Sequence, residues 1–434
     1  MNKQLFAFRL LHALFTPLKL LPHRSIHLIG KVIGYFAYHL HTNFRKKTLS
    51  NLSLAKDLNL SERELKNIAI ESFQNLVTTC LEYPKFANEP NISKSVICEN
   101  PELADAFIKK KQGIVFFCGH QSNWEVLFLE GTIRMPGVAI GRPIKNLYIY
   151  DWIQSIRERF GGNMISPQNA IKEGFKALKR GLFLGIVGDQ GMPESGFSCE
   201  FLGRLAWTSP SPALLAYKAK CPIIVATTRR KKGKYYIKYS DPIWPNFENS
   251  IDTEMPILMT KTLKIFEQSI LENPGEWLWQ HNRWKQETPR NVYYRYRYDC
   301  MLIIMPDDPS EFMAIKNEMK VFREIYPLAF ITLMLPKAFE KDLLLEDVET
   351  ICYESHEDIY IRDYRFKIIY NFSKYKKLKK HFLSLSAMKV VDFNDLKKDA
   401  TEHLSEQIEY SFTDVIKRAI CRPGTLWEKT DATQ

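Results

Sequence analysis

The sequence predicts an α/β fold, a mixed sheet flanked by helices, followed by a second, smaller α/β domain. Three observations predict it. Short apolar runs rich in β-branched and aromatic residues, such as residues 114–118 and 182–187, alternate with longer amphipathic stretches, as strands buried between helices should. A length of 434 residues with 45% hydrophobic content is enough for two cores. The alternation then resumes beyond Asp299, after a Pro-containing stretch rich in Tyr and Arg. The expected division is a basic apolar segment over 1–45, a main domain over 46–286, a linker over 287–299 and an accessory domain over 300–434.

The net charge of +12 and a pI near 9.1 call for an acidic partner. Candidates are an anionic membrane surface, a phosphorylated glycolipid, an acidic carrier protein or nucleic acid. Between Met1 and Lys56 there is no Asp or Glu, while Lys3, Arg9, Lys19, Arg24 and Lys31 punctuate apolar runs. That reads as N-terminal membrane-associating helices lying at an interface. Two core helices with basic residues on a solvated face are the alternative. Arg9, Pro17, Lys19 and Lys31 interrupt the runs too often for a spanning helix, and no small-x-small site follows to mark a cleaved signal. The basic residues are not interleaved with a nucleic-acid module, so no nucleic acid is expected. Eight scattered cysteines without a C-x-x-C read as reduced thiols of a cytosolic compartment. The ten histidines show no clustering around carboxylates, and neither metal nor cofactor is expected.

Ser61-x-x-Glu64 is a capping box that opens a supporting helix over 61–81. The stretch 113–125, G-I-V-F-F-C-G-H-Q-S-N-W-E, comes next and carries the chemistry. Its apolar run is a buried strand, Gly119 permits a sharp turn, and Ser122 and Asn123 are suited to cap the helix that follows. His120 and Glu125 are thereby placed in a strand-to-helix loop at a strand's carboxyl end, where open α/β sheets hold ligands. An imidazole accepts a proton near neutrality, and a neighbouring carboxylate fixes its tautomer. No G-x-S-x-G occurs, so the nucleophile is expected to be a substrate hydroxyl that His120 deprotonates with Glu125 as orienter.

The H-x4-E block resembles the lysophospholipid acyltransferase superfamily. More narrowly, G-H-Q-S-N-W-E resembles the lauroyl/myristoyl acyltransferases of lipid A biosynthesis. Arg157-x-Arg159-x-Gly161, Gly188-Asp189-Gln190-Gly191, Phe201-Leu202-Gly203 with Thr208, and the block from Trp277 through His281 and Arg283 to Lys285 agree in order. The resemblance covers roughly residues 20–290 and implies a lysophospholipid-acyltransferase-like sheet. It also implies acyl-acyl carrier protein as donor, a lipid A precursor as acceptor, late secondary acylation, and a place on the cytoplasmic face of the bacterial inner membrane. Asn123, Trp124, Arg157, Arg159, Asp189, Gln190, Gly203 and Thr208 are then expected to bind substrate. Which arginine grips an oxyanion stays open, and each also fits as a charge at a helix C-terminus. Asp189 has the plain alternative of a turn cap. Many relatives carry a second acid two residues on, where this chain has Gly191.

The remaining elements follow in order. Strands are expected over 138–143, 182–187, 221–228 and 235–239, and helices over 147–160, 168–180, 209–220 and 255–271. Residues 192–208 read as an apolar loop lining an acyl channel. Residues 229–234 read as a basic hairpin tip, and the Trp block as suited to packing and to the membrane interface. Strands at 301–305, 329–334, 351–353, 367–370 and 388–391 build the accessory domain, which lacks a G-x-G-x-x-G or P-loop. Two other functions fit the sequence: acylation of another glycolipid or a lysophospholipid, and a non-catalytic basic protein that binds membrane or nucleic acid.

Overall fold

A computed structural model describes residues 2–342, 345–404 and 409–428. They form two compact units, one of Met1–Thr42 and Ala55–Arg283, the other of residues 43–54 with 284–434.

The first unit opens with α1 (Lys3–Phe15), α2 (His23–Leu40) and, after α3 (Thr42–Leu54), α4 (Glu62–Asn88). The capping box at Ser61 and Glu64 is formed, but α4 runs seven residues past the expected end at Leu81 and carries Pro84 inside it. Helix α2 lies tightly on α4 because its contact face holds glycines. A Cβ on Gly34 would stand 2.4 Å from the backbone Cα of Gln74. Gly34→Ala must therefore push two helices apart, and a loss of about 1–3 kcal/mol is expected in chemical unfolding.

Strand and helix alternate, with β1, α5 and β4 added to the expected elements: β1 (Val96–Cys98), α5 (Glu102–Lys109), β2 (Ile114–Cys118), α6 (Glu125–Arg134), β3 (Gly137–Ile140), α7 (Leu147–Arg157), β4 (Asn163–Ile165), α8 (Ala170–Lys179) and β5 (Phe183–Val187). Next come β6 (Phe197–Phe201), β7 (Arg204–Thr208), α9 (Ser211–Ala219), β8 (Ile223–Lys231), β9 (Lys234–Tyr239) and α10 (Ile251–Glu272). Seven strands form one sheet in the order β1-β9-β8-β2-β5-β3-β4. Strand β2 is central and parallel to both β5 and β8, while β9 turns back antiparallel to β8. All five residues of β2 are buried, which accounts for its unbroken apolar run.

Three expectations are corrected here. Residues 192–208 contain an antiparallel hairpin, β6 with β7, because Leu202 and Gly203 both take positive φ at its tip and alternate residues Cys199, Phe201 and Ala206 turn inward. The aromatic block is interior: Trp277, Trp279 and Trp284 are each at most 2% exposed, so they do not face a membrane. The basic hairpin is present but its tip is only Lys232 and Gly233; Arg230 lies within β8, its backbone and guanidinium bound by Glu276, Tyr235 and Asn75.

The second unit is a doubly wound α/β domain. Its elements are β10 (Cys300–Ile304), α11 (Pro309–Ile315), α12 (Lys320–Ile325), β11 (Phe330–Pro336), β12 (Val348–Tyr353), β13 (Ile368–Asn371), α13 (Leu378–Ser384), β14 (Lys389–Val391), α14 (Phe393–Ala400) and α15 (Phe412–Ile420). The five strands are those expected, all parallel, in the order β12-β11-β10-β13-β14. Residues 43–54 of α3 join this unit, with Ser50 Oγ donating to the Arg365 carbonyl at 2.7 Å and Lys46 Nζ to that of Ala387 at 2.7 Å.

Candidate active site

Strand β2 ends at Cys118, and Gly119 starts the turn that presents His120. A side chain at Gly119 is excluded, since its Cβ would meet Phe266 at 2.0 Å and the Asp189 carboxylate at 2.8 Å. The loop is pinned from behind. The Leu278 N–H donates to the His120 carbonyl at 3.0 Å and the Ser122 N–H to the Glu276 carbonyl at 2.6 Å. Asn75 and Thr79 of α4 both donate to the Ser122 carbonyl. Ser122 takes a left-handed φ of 50° and does not cap α6, whose N-cap is Trp124; Asn123 Oδ1 accepts from the Glu125 N–H just inside it at 3.2 Å.

The carboxylate that orients His120 by direct contact is Asp189, delivered by the end of β5, and not Glu125. Nδ1 of His120 lies 2.8 Å from Asp189 Oδ1, while Oδ2 accepts from the His120 backbone N–H at 2.8 Å and from the Trp277 indole at 2.7 Å. Burial alone would raise the Asp189 pKa, but the imidazole and these donors bring it down to about 2. An ionised Asp189 sets the proton of neutral His120 on Nδ1 and leaves Nε2 as the acceptor. That nitrogen faces the Gln190 side-chain amide at 3.5 Å, and the amide in turn approaches His281 Nε2 at 3.2 Å. Trp124 packs edge-on against the His120 ring at 4.8 Å.

Glu125 is engaged elsewhere, for a simple geometric reason. It is the first residue of α6, and its side chain turns to α7, where Arg157 Nε donates to Oε2 at 2.7 Å, and to α4, where the Tyr83 hydroxyl donates to Oε1 at 2.8 Å. Burial opposes the charge of Glu125, and the Arg157 guanidinium more than offsets it, holding the pKa below the usual carboxylate range. Arg159 is not beside it. Its guanidinium donates to the Phe86 carbonyl and stacks on Phe160. The structure thus separates the two arginines: Arg157 pairs with Glu125, and Arg159 ties the loop after α7 to α4. A cavity of about 10 Å³, room for one water, lies between Glu125, Arg157 and Tyr83, so a fatty chain entering there must displace side chains.

Gly203 and Thr208 are likewise placed by packing. Gly203 forms the hairpin tip over Asp57, and the fully buried Thr208 hydroxyl accepts from Arg283 at 2.6 Å. Asn123 is 1% exposed and its amide donates to Glu82 at 2.9 Å. Trp124, Gln190 and Asp189 are the expected residues that gather around His120.

Glu82 escaped the sequence reading, since nothing in a helical Glu marks it as a hub. It is fully buried in α4; Oε1 meets His23 Nδ1 at 3.0 Å and His27 Nε2 at 2.8 Å, and Oε2 accepts from Asn123 and Tyr235 with Arg230 3.7 Å away. The expectation of unclustered histidines is therefore corrected, because two of them sit one helical turn apart on α2 and share this carboxylate. Their three ligand-type atoms lie within 4.8 Å of one another, but the guanidinium beside them and the direct His–Glu hydrogen bonds make this an ion-pair hub.

Stability should follow pH through His23. Burial lowers its pKa, yet its hydrogen bonds to Glu82 and Glu89 and their charges raise it to about 9 from 6.5. A folded pKa above the unfolded one means that the stabilisation is fully present below about pH 6.5 and is lost as pH rises through about 9. Melting temperature between about pH 6 and about pH 9.5 should fall more steeply for the native chain than for His23→Gln.

An imidazole held by a buried carboxylate thus stands just past the carboxyl end of the sheet's central strand. The thiol in the same strand, Cys118, turns its Sγ to the Ile186 carbonyl, and burial pushes its pKa up. The chain belongs to the bacterial lipid A biosynthesis acyltransferase family, whose family model matches residues 3–286. It is therefore an acyltransferase of that family. A comparison with curated proteins finds no match.

Proposed function

We propose that the protein transfers a fatty acyl chain from acyl-acyl carrier protein to a hydroxyl of a lipid A precursor, as a late, secondary acylation. The observation that carries this reading is His120, with Nδ1 on buried Asp189 and Nε2 directed to the Gln190 and His281 side. Nε2 takes the acceptor proton as the hydroxyl oxygen attacks the thioester carbonyl. The tetrahedral oxyanion draws on donors beside the loop, of which the Gln190 amide is the nearest to Nε2 in this geometry. Collapse breaks the C–S bond, and the imidazolium returns its proton to the leaving thiolate. Glu125 acts by holding Arg157, whose fixed charge stands at the edge of the site for an acceptor phosphate or the oxyanion.

Membrane association on the cytoplasmic face of the inner membrane is part of the same proposal. No helix among the described residues is long and apolar enough to cross a membrane. What supports surface attachment is α2, which buries Ile26, Gly30 and Gly34 against α4 and leaves Leu28, Val32 and Phe36 exposed, with Arg24 and Lys31 on the same basic segment. Purified protein assayed with acyl-carrier and acyl-coenzyme A donors against a lipid A precursor and a lysophospholipid tests the reading. Transfer from the carrier donor to the lipid A precursor is expected. Transfer to the lysophospholipid alone would move the protein to the alternative acceptor, and no transfer with any pair would favour a non-catalytic binder.

A further inference from the structure

In the second unit, the strand order runs outward from β10 in both directions, to β11 and β12 on one side and to β13 and β14 on the other. The connections leaving β10 and β13 therefore part company between those strands, and open α/β sheets bind ligands in the crevice this creates beyond the carboxyl ends. The groups gathered there come from three different strand ends. Asp307, just after β10, accepts from the Tyr375 hydroxyl at 2.6 Å and pairs with Lys374 Nζ at 3.1 Å, both just after β13. The ring of His356, just after β12, lies 4.8 Å from that of Tyr375. Tyr353, the last residue of β12, is 5% exposed, and its buried hydroxyl has no hydrogen-bond partner among the described residues. Tyr353 stands opposite Pro336, the last residue of β11, and so lies on the same carboxyl edge of the sheet as the other strand ends.

An unsatisfied buried hydroxyl is costly, and a bound polar group would relieve it. The chemistry of the crevice decides what kind. In dinucleotide folds the turn after the first strand is glycine-rich and its helix N–H groups hold phosphate. Here the turn reads Met305-Pro306-Asp307-Asp308-Pro309 without glycine, and Asp308 Oδ1 already takes the N–H groups of Ser310 at 2.9 Å and Glu311 at 3.0 Å. A phosphate at that turn meets two carboxylates and N–H groups already taken, and the Lys374 ammonium is itself paired with Asp307 at 3.1 Å. Asp307 instead offers acceptors to hydroxyl groups, Tyr353 a hydroxyl of its own, and the His356 and Tyr375 rings apolar faces for C–H groups.

We propose that this crevice is a second ligand site, built for the hydroxyls of a neutral sugar ring. It lies wholly within the second unit and does not depend on the acyl-transfer chemistry.

Saturation-transfer NMR on the full chain, with N-acetylglucosamine as the probe and AMP as the contrast, tests it. The sugar should receive saturation and AMP should not. Asp307→Asn should weaken sugar binding by roughly tenfold, through loss of charge-assisted hydrogen bonds. Tyr353→Phe should weaken it severalfold while leaving the melting temperature unchanged or higher, since its hydroxyl has no protein partner to lose. No saturation of the sugar, equal saturation in both variants, or binding of AMP in the sugar's place would overturn the assignment.

Discussion

His120→Ala should lower kcat/KM for acyl transfer by about 10²- to 10⁴-fold with the melting temperature retained, because a general base contributes on that scale. The ring is partly buried but is not part of the core, so the loss should be chemical. Asp189→Asn should come close to it. The amide oxygen stays with the His120 N–H and the Trp277 indole, which puts the NH2 group opposite Nδ1, so the imidazole takes the tautomer with its proton on Nε2 and the base is lost. Because the two residues act as a unit, the double variant should be hardly worse than either alone. Steady-state rates of the four proteins, with circular dichroism as the fold control, read this directly. Rates within a few-fold of the native chain for His120→Ala would remove the imidazole from the mechanism. A fully active Asp189→Asn would leave the pair merely structural.

The second large effect should come from a residue that touches no substrate. Glu82→Ala removes the acceptor of the buried His23, His27, Asn123 and Tyr235 and the counter-charge of the partly buried Arg230. Breaking one side of a buried ionic cluster costs about 3–5 kcal/mol, and for a unit of this size a fall in melting temperature of ~10 °C is expected. Glu82→Gln keeps two polar atoms and should lie between. Asn123 also holds the first N–H of α6, so activity at a temperature where the variant is still folded should fall as well, which a remote packing defect would not cause. An unchanged melting curve would show that the hub contributes no net stability.

Much of this was legible in the residues. The run Ile114–Cys118, bounded by glycines, is a strand with the same limits in the structure, since five consecutive apolar residues can be buried on both faces only in the middle of a sheet. The capping box at Ser61 and the five strands of the second unit were equally plain, because capping and strand burial are local signals. The hairpin at residues 197–208 was not, since its register depends on which alternate residues find a core to enter. Residues 192–208 thus read as a loop.

Within the site, the sequence by itself determined which residue types follow β2 and β5: an imidazole, two carboxylates further along the chain, and no nucleophile on an elbow. It did not determine which carboxylate the imidazole meets. Proximity along the chain favoured Glu125, five residues away, yet the helix that Glu125 begins turns it toward Arg157 and Tyr83. Asp189, far off in sequence, arrives beside His120 because β5 runs parallel to β2 in register, Cys118 opposite Val187, so that the two strands end side by side. Tertiary structure decided the pairing because hydrogen bonds select by position in space, and in a parallel sheet neighbouring strand ends come from distant parts of the chain.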